Sequence, residues 1–172
     1  MAGLFFVAVA QAAFEPLTLN DKTFNKMIAK IPLAFLLAGK ADNVYTEQIM
    51  PLWKSVGEAL HNDIQFVYID YNDSQKVREK QNITSFPSFY VYRHGVKTTE
   101  YNGEKDLPSI AKYIKRITGP PFVEIDNARD ANDFLDDARF SVILAGEDLD
   151  ASMLKTFKQV ASNLMDVAQF AI

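Results

Sequence analysis

Ile31 to Leu37 is a continuous run without a polar side chain, and it restricts the fold more than any other part of the sequence. A strand with one wet face alternates apolar and polar residues, whereas an unbroken apolar run is buried on both faces, as in a sheet covered by helices. Before this run, Pro16 to Leu19 reads as a short strand. Asn20 offers an N-cap oxygen to a helix with Phe24, Met27 and Ile28 at i, i+3 and i+4, reaching about Lys30. After the run come a polar loop over 38–44 and a helical stripe of Ile49, Leu52, Trp53, Val56 and Leu60. Pro51 lies inside that helix, where its missing N–H is expected to bend it. Ile64 to Asp70 is the next strand, and Asp73 to Gln81 a short polar helix. Pro87 opens an aromatic, β-branched strand through Tyr92, a position where a strand tolerates proline. Arg93-His94-Gly95 turns the chain, Val96 to Tyr101 returns as a hairpin, and Leu107, Ile110, Ala111, Ile114 and Ile117 mark a final amphipathic helix. The order β-α-β-α-β-α-β-β-α predicts an α/β sandwich, with parallel strands joined by crossover helices and closed by an antiparallel hairpin.

Thr118-Gly119-Pro120-Pro121 stops the last helix and marks a domain boundary. Beyond it the pattern restarts: a strand over Phe122 to Ile125, a helix over Asp130 to Ala138, a buried strand over Phe140 to Ala145, an amphipathic helix over Ala151 to Leu164 and a strand from Val167 to Ile172. The expected organisation is a first domain over 13–119 and the N-terminal half of a second over 120–172. An edge strand left at that point exposes unpaired backbone groups, so the sequence reads as a piece of a longer protein.

The 13 Phe, 7 Tyr and single Trp supply ample apolar surface for a core. The net charge of −4 argues against a nucleic-acid or anionic-membrane surface, and no apolar run is long enough to span a bilayer. Leu4 to Ala10 is apolar and is followed by the small-x-small step Ala10-Gln11-Ala12, so residues 1–12 read as a signal peptide, the alternative being a tail or a first strand. There is no cysteine. That excludes disulfides, thiolate nucleophiles and cysteine metal sites.

The stretch ITSFPSFYVYRHG, the helix-kinking Pro51 and the step KRITGPPFVEI together resemble the protein disulfide isomerase family, whose thioredoxin domains carry a strand-opening cis-proline. FKQVASNLMDVAQFA resembles the start of that family's non-catalytic second domain, and MPLWKSVGEAL is similar to the transmembrane thioredoxin-related branch. The resemblance implies a thioredoxin-like fold followed by a partial second thioredoxin-like domain, in the endoplasmic reticulum lumen or secretory pathway. Active members begin the kinked helix with Cys-x-x-Cys. The same spacing from Pro51 falls here on Asn43-Val44-Tyr45-Thr46, so Asn43 replaces the attacking cysteine and Thr46 the resolving one. Phe35 falls where active members hold a buried carboxylate, which without thiols would only cost desolvation energy.

The resemblance therefore implies a redox-inactive, non-catalytic folding factor. It would bind unfolded polypeptide or a partner protein through Tyr45, Ser85, Phe86 and Pro87, the backbone before the cis-proline pairing with an extended segment like an added strand. Two alternatives stay open: a glutathione-binding enzyme that holds its thiol with Thr46 or Tyr45, and a structural spacer in a longer protein. Of the aromatic set Tyr45, Trp53, Phe86, Phe89 and Tyr92, most read as core residues, and Tyr45 at the helix start is the one expected to be exposed. Asn72-Asp73-Ser74 and Asn82-Ile83-Thr84 are glycosylation sequons in expected loops or helix ends. His61 and His94 read as solvated turn residues, and Asp130, Asp133, Asp136 and Asp137 as a wet helix face rather than a calcium site. Nothing in the pattern calls for a cofactor or a metal.

Overall fold

A computed structural model describes residues 14–136, 140–146 and 148–172, so the leader reading over residues 1–12 lies outside the described residues, as does Asp137. In chain order the elements are β1 (Leu17–Leu19), α1 (Phe24–Ile28), β2 (Leu33–Gly39), α2 (Val44–Leu60), β3 (Gln65–Asp70), α3 (Gln75–Gln81), β4 (Ser88–Arg93), β5 (Val96–Tyr101) and α4 (Leu107–Thr118). They form one five-stranded sheet in the order β1-β3-β2-β4-β5. β1 and β2 both run parallel to β3, and β4 runs antiparallel to β2 and to β5.

The apolar run is the middle strand, and its residues from Ala34 to Gly39 are all buried. Alternation along β2 divides the core in two. Phe35 and Leu37 face Trp53, Val56 and Leu60 of α2 and Ile110, Ile114 and Ile117 of α4. Leu36 and Ala38 face Phe24 and Ile28 of α1 and Val77 of α3. Each large apolar side chain buried this way stabilises the fold by roughly 1.5–3 kcal/mol.

Several local expectations shift. Asn20 does not cap α1: its Oδ1 accepts from the N–H groups of Lys22 (3.0 Å) and Thr23 (3.3 Å), closing an Asx turn that delays the helix to Phe24. Ala38 and Gly39 belong to β2, and the helix after the shortened loop starts at Val44. Pro51 does lie inside α2. Lacking an N–H, it leaves the Glu47 carbonyl without its helical donor. His94 (φ 50°) and Gly95 (φ 81°) make the β4–β5 turn in the left-handed region, which glycine enters without steric cost.

After α4 come α5 (Ala128–Asp136), β6 (Ser141–Ile143), α6 (Ala151–Leu164) and β7 (Gln169–Ala171). Phe122 to Ile125 is not the strand expected: only Val123 bridges Ala171, with Val123 N–H donating to Phe170 O (3.0 Å) and Ile172 N–H to Val123 O (2.9 Å). Nor is 140–145 a buried strand. β6 is three residues long, and Val142 and Ile143 are 43% and 37% exposed, because β7 is its one partner strand among the described residues. β6 and β7 are parallel. The spatial order Val123, β7, β6 therefore repeats the order β1, β3, β2 of the first unit.

The two parts are held together by α4. Arg116 Nη1 donates to Met165 O (2.5 Å) and Ala168 O (2.8 Å), and the Tyr113 hydroxyl donates to Asp166 O (3.1 Å). A cleft of about 870 Å³ lies between them, lined in part by Tyr101, Tyr113, Phe134 and Phe170.

Candidate functional site at the start of helix 2

The polar loop after β2 and the turn before β4 meet at one end of the sheet, because β2 and β4 are antiparallel neighbours and Ala38 pairs with Ser88. Asn43 is the N-cap of α2. Its backbone is extended (φ −109°, ψ 122°), and its Oδ1 accepts from Tyr45 N–H (3.0 Å) and Thr46 N–H (3.2 Å). The side chain thus satisfies two orphan donors of the first turn. Thr46 is 3% exposed, and its Oγ1 accepts from Lys40 N–H (3.0 Å). Gly39 permits this packing: a Cβ there would lie 2.7 Å from Thr46 Cγ2 and 2.8 Å from Tyr68 Cε2. Both positions that the resemblance assigns to lost thiols are occupied by oxygens that hold backbone amides.

Phe35, at the position assigned to the lost carboxylate, is fully buried, and its ring lies 5.2 Å from Trp53, 5.7 Å from Phe89, 5.9 Å from Tyr101 and 6.1 Å from Phe66, centroid to centroid. An ionised group there would be surrounded almost wholly by aromatic carbon, and its desolvation would be costly. The Trp53 indole N–H, in the same core, has no hydrogen-bond partner among the described residues.

The Phe86–Pro87 bond is cis. Ser85 O accepts from Ser88 Oγ (2.6 Å), so this carbonyl, offered by the sequence reading as a docking group, is engaged internally. The Phe86 amide and carbonyl have no hydrogen-bond partner among the described residues. Phe86 and Pro87 are half-buried and Ser85 is exposed. Tyr45 is 65% exposed, as expected, but makes no ring contact with Phe86 among the described residues. Trp53, Phe89 and Tyr92 are core.

Four residues that the sequence reading passed over complete the site. Asp70, at the end of β3, holds the β2–α2 loop: its Oδ2 accepts from Ala41 N–H (2.6 Å) and the Tyr68 hydroxyl (3.1 Å), and its Oδ1 from Asn72 N–H (2.8 Å). Burial, and then this carboxylate, hold the Tyr68 hydroxyl well above the ordinary tyrosine range. The Tyr71 ring packs on Phe86 at 4.7 Å. Arg78 covers Tyr71 at 3.4 Å, and Lys40 Nζ lies 5.5 Å from the Tyr71 ring and 5.8 Å from that of Phe86. The one available signal was the acidic, aromatic step Asp70-Tyr71 closing an otherwise apolar strand.

His61 and His94 are exposed, and no group of three or more metal-ligating side chains occurs among the described residues. Asn72 and Asn82 are both exposed, Asn82 at the end of α3 with φ 51°.

Thioredoxin is the family model that matches the chain, over residues 15–116. The chain is 24% identical over 170 residues to the probable protein disulfide-isomerase ER-60 of Schistosoma mansoni, covering 97% of this chain and 35% of that protein. It is 22% identical over 133 residues to endoplasmic reticulum resident protein 44 of Mus musculus, covering 73% and 32%. A crystal structure of human ERp44, form II, superposes with a TM-score of 0.64 at 18% identity, covering 97% of this chain and 47% of that one, which shows a common fold. The chain spans about a third of the length of these two curated relatives. With the five-stranded sheet, the capped and proline-bearing α2 and the Phe86–Pro87 turn beside it, these matches show that the chain belongs to the thioredoxin family, as a cysteine-free member similar to the protein disulfide isomerases.

Proposed function

We propose that this chain is a non-catalytic folding factor that binds extended segments of unfolded or partner polypeptide along the turn before β4. One observation carries this reading: among the described residues the Phe86 amide and carbonyl have no partner and sit beside the half-buried rings of Phe86 and Tyr71, while the neighbouring Asn43 and Thr46 oxygens are committed to the backbone. A residue with both backbone groups free matches one residue of an antiparallel strand, which exchanges two hydrogen bonds with it. The thiol–disulfide step needs a thiolate and a resolving thiol, and the sequence supplies neither.

A place in the secretory pathway is supported by the names of the relatives and by the exposed sequons at Asn72 and Asn82, which we propose as glycan acceptors. The division into a first thioredoxin-like domain over 13–119 and part of a second from residue 120 is supported by the repeated strand order. Glutathione binding through Thr46 is the weaker reading, since that hydroxyl is buried and accepts from Lys40 N–H.

The test is anisotropy of a labelled, unstructured peptide against the parent chain and the Phe86→Ala, Tyr71→Ala and Tyr45→Ala variants, each checked by circular dichroism. Saturable binding by the parent, weakened in the Phe86 and Tyr71 variants, supports the reading. Unaltered binding in both removes this surface from it. Turnover of the parent in an insulin-reduction assay would defeat the non-catalytic assignment.

A further inference from the structure

We propose that the surface beside Phe86 selects extended segments carrying an acidic side chain, and that Lys40 is the selecting residue; this rests on the peptide-binding reading above. Lys40 Nζ stands over two rings, Tyr71 and Phe86, and no carboxylate lies within 4.0 Å of it among the described residues. Asp70, which anchors the same loop, is committed to Ala41, Tyr68 and Asn72. On the Tyr71 ring Arg78 adds a second cation, fixed by its Nε–H donating to Tyr71 O (3.0 Å). No salt bridge to a carboxylate holds Arg78 among the described residues. A chain with a net charge of −4 thus carries a local pair of cations that have no ion-pair partner among the described residues, at the edge where a segment would dock.

The physics of the pairing favours one ligand charge. The rings shield one side of the ammonium from water, which strengthens its bond to an incoming carboxylate. A segment hydrogen-bonded to Phe86 projects alternate side chains to opposite faces, so the residues flanking the paired one share a face. An Asp or Glu on the face toward Tyr71 gains a charge-assisted contact, and a Lys or Arg there meets two like charges.

The experiment measures the Kd of labelled, unstructured peptides that are identical except for Asp, Asn or Lys at one central position, at low and at high salt. The expected order is Asp tightest and Lys weakest, with about three- to fivefold between Asp and Asn at low salt and less at high salt. Lys40→Gln should weaken the preference and Lys40→Glu reverse it. Equal affinities for the three peptides, or a preference unchanged in both variants, overturn the proposal and leave the peptide-binding reading standing. Absence of binding by every peptide overturns both.

Discussion

Arg93 and Asp166, 73 residues apart, meet in a two-point ion pair across the two parts of the chain: Nη2–Oδ1 is 2.6 Å and Nε–Oδ2 is 3.2 Å. Asp166 is 5% exposed, so its carboxylate has this guanidinium in place of water. Arg93→Ala strands a buried carboxylate and should destabilise the packed C-terminal part by about 3 kcal/mol. Asp166→Asn removes the charge, keeps an acceptor and should cost less. Urea denaturation by circular dichroism checks both. Identical midpoints for Arg93→Ala and the parent would contradict the role given to the pair.

Phe35 is the hub of the aromatic core, in contact with Trp53, Phe66, Phe89 and Tyr101. Phe35→Ala leaves a cavity that rigid neighbours cannot fill and should cost about 3–5 kcal/mol. Fluorescence of Trp53, the chain's single tryptophan, reports the shift in urea midpoint. A loss below about 1 kcal/mol would mean that the core collapses around the missing ring.

Four of the seven tyrosines resist ionisation. Burial, and then nearby Asp106, push Tyr101 up to about 12, and burial raises Tyr68, Tyr92 and Tyr113 further. In the unfolded chain these groups ionise near pH 10. The unfolded state therefore binds fewer protons above that pH, and stability falls as pH rises through the folded values. It is fully present below about pH 10. Ultraviolet titration of the folded protein should show Tyr68, Tyr92, Tyr101 and Tyr113 ionising late, together with unfolding; ionisation of these four near pH 10 in the folded protein would contradict the burial.

Asn43→Cys with Thr46→Cys puts a thiol at the N-cap of α2, where helix dipole and amides favour the thiolate, and a second, buried thiol within reach. The double variant should form an internal disulfide, seen as a mass loss of two hydrogens, and acquire insulin-reducing turnover. Two free thiols that persist after mild oxidation would show that Asn43 and Thr46 do not stand where the redox pair once stood.

The fold was legible where periodicity is strong. The apolar run became the central strand, and the stripe from Ile49 to Leu60 became the buried face of α2. The second part is less legible, because a strand of Phe122 to Ile125 needs a continuous ladder, and here a single bridge at Val123 and one further bond from Ile125 N–H to Ile172 O are made. Spacing from Pro51 located Asn43, but its capping role is a matter of backbone geometry that residue type only permits. Lys40 and Tyr71 escaped notice for a different reason: Asp70 reaches Ala41 across 29 residues, and no local pattern records such a meeting.

Amide hydrogen exchange at Phe86, with and without a saturating unstructured peptide, tests the binding edge most directly. The amide should exchange freely in the unliganded chain and become at least about tenfold slower with peptide bound, as in a ladder bond newly formed. Saturable peptide binding with Phe86 exchange unchanged would contradict a strand added at this turn.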